Sequence, residues 1–276
     1  MHITKLCNRL LIGSGILLLS NISLAETLHD HQDKLQQQSV TMQKTMTVTS
    51  EAQAHANHIR EHGGQIFQRT ELEHRWIWNP DGQGILKTEL ESRIGTDENR
   101  LFIKGHIHKA ESEQADYDIA ALYSRAISDF WDVQTGVRYR YTERQPEQQE
   151  QIDAMLGLHG LAPYFFETDA YLYAGKDQQL SFNLKSERDL LVTQKLILQP
   201  YIESELVLSD DSKYARKKGL SSLQLGVQTR YEINKRVMPF IDVAYAYEKG
   251  REATVWQQET SSEKDWQYGL GLKLIF

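Results

Sequence analysis

The side chains best able to do chemistry in this chain are imidazoles and thioethers. It holds 10 His and 5 Met but a single Cys. One group lies early: His29, His31, Met42, Met46, His55, His58 and His62. Met42 and Met46 are four residues apart, as are His58 and His62, so a helical turn puts each pair on one side. Two later pairs are His106 with His108 and Met155 with His159. In a chain without usable thiolates, imidazole and thioether are the ligands that suit copper. The plain alternatives are a solvated linker with incidental His for the early group and hydrogen-bonded structural His for the later ones.

The thiol is removed early. Lys5 and Arg9 precede an apolar run from Leu10 to Leu19, and Ser23-Leu24-Ala25 is a cleavage site. Residues 1–25 therefore read as a secretory signal peptide, with an apolar run too short to span a bilayer. Cys7 lies inside it, away from the cleavage site, which excludes lipid attachment there. The exported chain then has no disulfide, thiolate metal site or thiol nucleophile. The formal net charge is −7, and losing Lys5 and Arg9 makes it more acidic, so no nucleic-acid partner is expected.

Residues 26–65 are rich in Gln, Thr, Ser and His and poor in large apolar residues. Such a segment cannot bury a core and reads as a disordered or partly helical tail.

The elements that must position the later pairs are strands. In the last eleven residues, WQYGLGLKLIF, alternation puts Trp266, Tyr268, Leu270, Leu272, Leu274 and Phe276 on one face. The other face carries Gln267, Gly269, Gly271, Lys273 and Ile275. Aromatics bracketing a Leu band fit a lipid-facing strand with interfacial girdles. Similar segments of about ten residues, separated by polar turns, recur from residue 66 to 276, as a transmembrane barrel requires. Twelve are expected, at 68–78, 85–94, 101–109, 117–127, 131–142, 151–161, 164–175, 180–190, 196–208, 223–233, 239–248 and 266–276. The fold class is all-β, an antiparallel transmembrane β-barrel. Mean hydropathy of −0.55 speaks against helical spans and suits strands with a polar lumen face.

Alternation sends His106, His108, Met155 and His159 inward and His74 outward. Residues two apart on a strand stand about 7 Å apart and residues four apart about 13–14 Å. His106 and His108 can therefore share an ion if their rings converge, whereas Met155 and His159 need partners on other strands. The inner faces also carry many charges of both signs, among them Glu89, Lys104, Asp169 and Lys185. Paired across a lumen, these imply a narrow or occluded interior rather than a wide pore. The long polar connections, 142–150, 209–219 and 249–265, all follow odd-numbered strands, the parity of long extracellular loops and short periplasmic turns if the first strand rises from the periplasm. The tail is then periplasmic. The turn at Asn79-Pro80-Asp81-Gly82 is a strong signal for the first hairpin.

Several blocks resemble the copper resistance protein B family: FWDVQTGVRYRY at 130–141, GLHGLAPYFFETDAYLYAG at 157–175, ERDLLVTQKLILQPYIE at 187–203, GLSSLQLGVQTRYEI at 219–233 and PFIDVAYAY at 239–247. The resemblance implies a barrel in the bacterial outer membrane that binds copper ions and supports copper tolerance, with outer-membrane lipid and a periplasmic copper protein as further partners. Family members carry Met- and His-rich repeats after the signal. This chain keeps only the early His and Met named above, which weakens the case for a high-capacity copper store there. Two other classes compete. An outer-membrane hydrolase needs a nucleophile and base near the rim, and no G-x-S-x-G arrangement stands out. A general porin without metal specificity needs only the barrel.

Overall fold

A computed structural model describes residues 65–78, 84–111 and 114–276. The tail residues His29, His31, Met42, Met46, His55, His58 and His62, and the Asn79–Gly82 turn, lie outside the described residues.

The chain runs through β1 (Phe67–Trp78), β2 (Gly84–Gly95), β3 (Asn99–Ala110), β4 (Asp116–Ala126), β5 (Trp131–Tyr141), β6 (Glu150–Ala162), β7 (Phe166–Ala174), β8 (Leu180–Glu187), β9 (Leu190–Leu191), β10 (Leu196–Ser209), β11 (Gly219–Tyr231), β12 (Val237–Glu248) and β13 (Glu263–Ile275). Every pairing is antiparallel, and the strands follow one another round the sheet in chain order, with β8 reaching β10 directly. β13 pairs with β1, from Glu71↔Ile275 to Trp78↔Tyr268, which closes the sheet into a barrel. The final residue takes part: Phe276 N–H donates to the Thr70 carbonyl at 2.8 Å and the Thr70 N–H donates back at 3.1 Å. Closure leaves no sheet edge, the condition for β structure inside a bilayer.

Twelve strands form the cylinder, and β9 is a two-residue continuation of β8 along β10. The expected eighth strand is interrupted at Arg188 and Asp189, though the Arg188 N–H still donates to the Pro200 carbonyl at 3.2 Å. The seventh begins at Phe166 rather than Tyr164: Pro163–Phe165 form a 3-10 turn in which Tyr164 and Phe165 take positive φ angles of 65° and 60°. β11 starts at Gly219, and a register shift between Glu205 and Leu206 of β10 accommodates the longer pairing.

The two faces separate as alternation dictates. Outward positions are exposed and greasy: Leu90, Leu101, Ile103, Ile119, Val137, Leu156, Leu225, Ile241 and Leu270. Exposed Phe67, Phe130, Tyr231 and Phe276 mark the end of this band that carries the carboxyl terminus, and aromatic pairs mark the loop-bearing end. Tyr117 stacks on Tyr141 at 5.2 Å, Tyr245 meets Trp266 at 5.4 Å and Trp76 meets Trp78 at 6.5 Å. The rim that carries the carboxyl terminus has short connections, such as 96–98 and 127–130, while the opposite rim carries the loops 142–149, 210–218 and 249–262. The protein is a closed transmembrane β-barrel.

The inside is filled unevenly. Phe102, Ala120, Leu122, Met155 and Tyr171 form an apolar cluster on the inner wall of β3 to β7. Around it sit buried polar groups whose bonds are satisfied within the wall. Tyr171 donates to Gln134 at 2.5 Å, Gln134 to Ser124 at 3.2 Å, and Ser124 to Asp132 at 2.9 Å.

Candidate functional site

Each of two lumen imidazoles is positioned by a hairpin that delivers a carboxylate to it. The β3–β4 register sets His106 opposite Asp118, and His106 Nδ1 lies 3.0 Å from Asp118 Oδ1. The ring is about half exposed to the lumen, and on its other flank Glu89 is its partner on β2. The β6–β7 register sets His159 opposite Asp169, with Nδ1 2.5 Å from Asp169 Oδ1. This ring is buried and meets the Phe102 ring edge-on at 5.4 Å.

Asp169 is shared. Its second oxygen accepts from Lys104 Nζ at 2.9 Å, and Lys104 also lies 3.2 Å from Glu91. Lys104 is on β3 and Asp169 on β7, so this bond cuts across a sector of the lumen. A second bar crosses it fully. Lys185 of β8 reaches Glu89 of β2 at 3.7 Å, Glu187 at 3.3 Å and Glu203 at 3.6 Å. In the ring of twelve, β2 and β8 are diametrically opposite. Elsewhere the charges pair along the wall: Arg75 with Asp242 at 2.8 Å and Glu73 at 2.5 Å, and Asp153 with Arg138 and Arg140, each at 2.7 Å.

Beside these bars lies a cavity of about 510 Å³. Glu89, Glu91, Lys104, His106, Asp169 and Lys185 line its deep part, and it extends to Arg69, Arg188 and Lys273 near the rim that carries the carboxyl terminus. Carboxylates, ammonium groups and one half-exposed imidazole therefore share one chamber. Among the described residues, no group of three or more His, Cys, Asp or Glu has an arrangement able to hold a metal ion.

His106 and His108 share the inner face of β3, and His108 sits opposite Asp116 and Lys87 in register. Met155 and His159 share the inner face of β6, but their surroundings differ: Met155 is buried in the apolar cluster, while His159 is tied to Asp169. His74 faces outward, with its Nδ1 2.8 Å from Thr88 Oγ1. Residue types alone do not single out Asp118 and Asp169 as imidazole partners. The signal that could find them is the hairpin register, since a tight turn fixes which residue stands opposite which.

At the loop-bearing end, Asp210 organises a cap. Its carboxylate accepts from the Ser212 and Arg216 backbone N–H groups at 3.1 and 3.0 Å. Tyr214 and Ala215 are buried. Burial works against the Arg216 charge, but Glu205, at 2.7 Å, and Asp210 outweigh it and raise its pKa.

The family described as copper resistance protein B precursor matches residues 65–276. The chain is 28% identical over 201 residues to "Copper resistance protein B" of Escherichia coli, covering 73% of this chain and 62% of that protein. It is 28% identical over 200 residues to "Copper resistance protein B homolog" of Pseudomonas syringae pv. tomato, covering 72% of this chain and 67% of that one. The match to the first of these thus spans less than two thirds of its length. Among solved structures, a NanC porin aligns with a TM-score of 0.50 at 11% identity, over 74% of this chain and 98% of the porin, a likeness of fold alone. With the family match covering the whole described barrel, the chain belongs to the copper resistance protein B family.

Proposed function

We propose that this outer-membrane protein handles copper directly, taking the ion on lumen side chains and either sequestering it or moving it across the outer membrane. The observation that carries this reading is the pair of anchored imidazoles. In both His106 and His159 the Nδ1 faces a carboxylate oxygen, so a neutral ring donates there and keeps its Nε2 lone pair for an ion. A carboxylate behind the imidazole is the usual support of a metal-binding histidine. His108 adds a second imidazole on the same face of β3, and the Met155 thioether, also suited to copper, sits in the apolar cluster two strand steps from His159.

The absence of a three-ligand His/Cys/Asp/Glu cage among the described residues bears on the kind of binding. Single imidazoles backed by carboxylates and water make weak, successive sites. A conducting path needs such sites, because an ion held too tightly does not leave. The tail, with His29, His31, Met42, Met46, His55, His58 and His62, is then a second copper-binding segment on the periplasmic side, from which a periplasmic copper protein collects or delivers the ion.

Calorimetric titration of the purified protein with copper, with and without residues 26–65, tests this. Binding that survives loss of the tail and falls in a His106→Ala/His159→Ala variant supports the lumen sites. Absence of binding in both forms refutes the proposal, and a large conductance indifferent to copper favours a general porin instead.

A further inference from the structure

The outward surface at the loop-bearing end of β12 and β13 differs from the rest of the rim. Tyr245 pairs in register with Trp266, and one step further out Tyr247 pairs with Lys264. Lys264 is exposed, and its ammonium lies 5.7 Å from the centre of the Tyr247 ring. One strand step of two residues rises about 7 Å, so Lys264 stands just above the aromatic girdle, at headgroup height. Beside it, Lys217, Lys218 and Lys249 line a surface depression of about 500 Å³ together with Glu252 and Glu259.

These lysines are unevenly compensated. Lys217 pairs with Glu259 at 2.7 Å, and its hydrogen bond and charge lower the Glu259 pKa. Lys249 Nζ donates to the Lys218 backbone carbonyl oxygen at 2.5 Å. Among the described residues no carboxylate lies within ion-pair distance of Lys218, Lys249 or Lys264. On the opposite side of the ring the charges at this height are of both signs: Glu143 accepts from the Tyr141 hydroxyl at 2.6 Å, Glu150 begins β6 opposite Tyr141, and Arg144 pairs with Asp116 at 3.0 Å. Ammonium groups that lack an ion-pair partner, as Lys218, Lys249 and Lys264 do despite Glu252 and Glu259 nearby, favour an added anion, and lysine binds phosphate as a point charge.

We propose that Lys218, Lys249 and Lys264 form a docking surface for the phosphorylated headgroup of an outer-leaflet glycolipid. The lipid's acyl chains lie against the exposed apolar band of β11 to β13, its sugars meet Tyr245, Tyr247 and Trp266, and its phosphates reach the three ammonium groups. The fixed height of the cations above the girdle suits a lipid, whose phosphates are held at one depth.

The test uses the full protein in detergent micelles, titrated with bisphosphorylated lipid A and followed by native mass spectrometry. The wild type is expected to retain this lipid. A Lys218→Glu/Lys249→Glu/Lys264→Glu variant is expected to bind it at least ten-fold more weakly, and lipid A stripped of phosphate is expected to bind the wild type at least ten-fold more weakly. A Lys109→Glu variant, which alters an exposed lysine elsewhere on the rim, should bind as the wild type does. A Lys→Gln triple variant, which removes charge without reversing it, serves if the Glu variant fails to fold. Equal binding by the triple variant, equal binding of phosphate-free lipid A, or full displacement by millimolar inorganic phosphate overturns the proposal.

Discussion

Two carboxylates decide what the lumen imidazoles can do. Asp118 accepts from His106 at 3.0 Å, so its removal tests whether His106 serves as the proposed ligand. In Asp118→Asn the His106 ring loses the charged partner that fixes its orientation. Calorimetry of the barrel should then show copper affinity lower by about 10- to 100-fold at that site. If His106 is only structural, affinity will not move. Asp169 has a different burden, since it holds both His159 and Lys104. Lys104 is 8% exposed and keeps Glu91 at 3.2 Å. Asp169→Asn therefore leaves a buried ammonium with one charged partner rather than two and costs about 1–3 kcal/mol. The urea midpoint of the protein in detergent should fall accordingly, and an unchanged midpoint would show that Glu91 compensates fully.

Strands are legible from alternation, and hairpins nearly so. The expected segments match β1 to β6 within a residue or two because each has one greasy and one polar face. The breaks at Arg188–Asp189 and the Pro163–Phe165 turn are not readable, since both depend on how neighbouring strands end rather than on local pattern. Loop 210–218 reads in sequence only as a polar connection. Its buried Tyr214 and Ala215 show it folded down, and it is locked to other loops: Gln257 donates to the Ala215 carbonyl at 2.7 Å, and Lys213 Nζ reaches Glu147 at 3.2 Å. Asp210 holds the turn through two backbone N–H groups. Asp210→Ala should free those donors and loosen the cap. Limited trypsin digestion of folded protein should then cut faster after Lys213, Arg216, Lys217 or Lys218, because cleavage tracks local opening. Equal rates in variant and wild type would mean that the other loops alone hold it.

For the molecule as a whole, the charges of both signs on alternating inner positions already point to an occluded lumen. Which of them meet is not legible, because cross-lumen partners depend on how the ring closes and not on any single hairpin. Closure puts Lys185 against Glu89 from opposite sides of the ring. Both side chains keep about a third of their exposure, 34% and 32%, so the contact is solvated and holds with only about 0–1 kcal/mol. A contact this weak spans the lumen and, under the proposed function, gives way easily to a competing cation. The wild type should therefore show low conductance in planar bilayers. A Lys185→Ala/Glu89→Ala variant, which deletes both halves of the bar together, should conduct several-fold more. Copper added to the wild type should raise its current if the ion displaces Lys185 from Glu89, and should leave the double variant's current unchanged. A wild type that already conducts like an open porin, or a double variant no more conductive than its parent, would remove the bar from the account and shift the obstruction to the apolar cluster around Phe102 and Leu122.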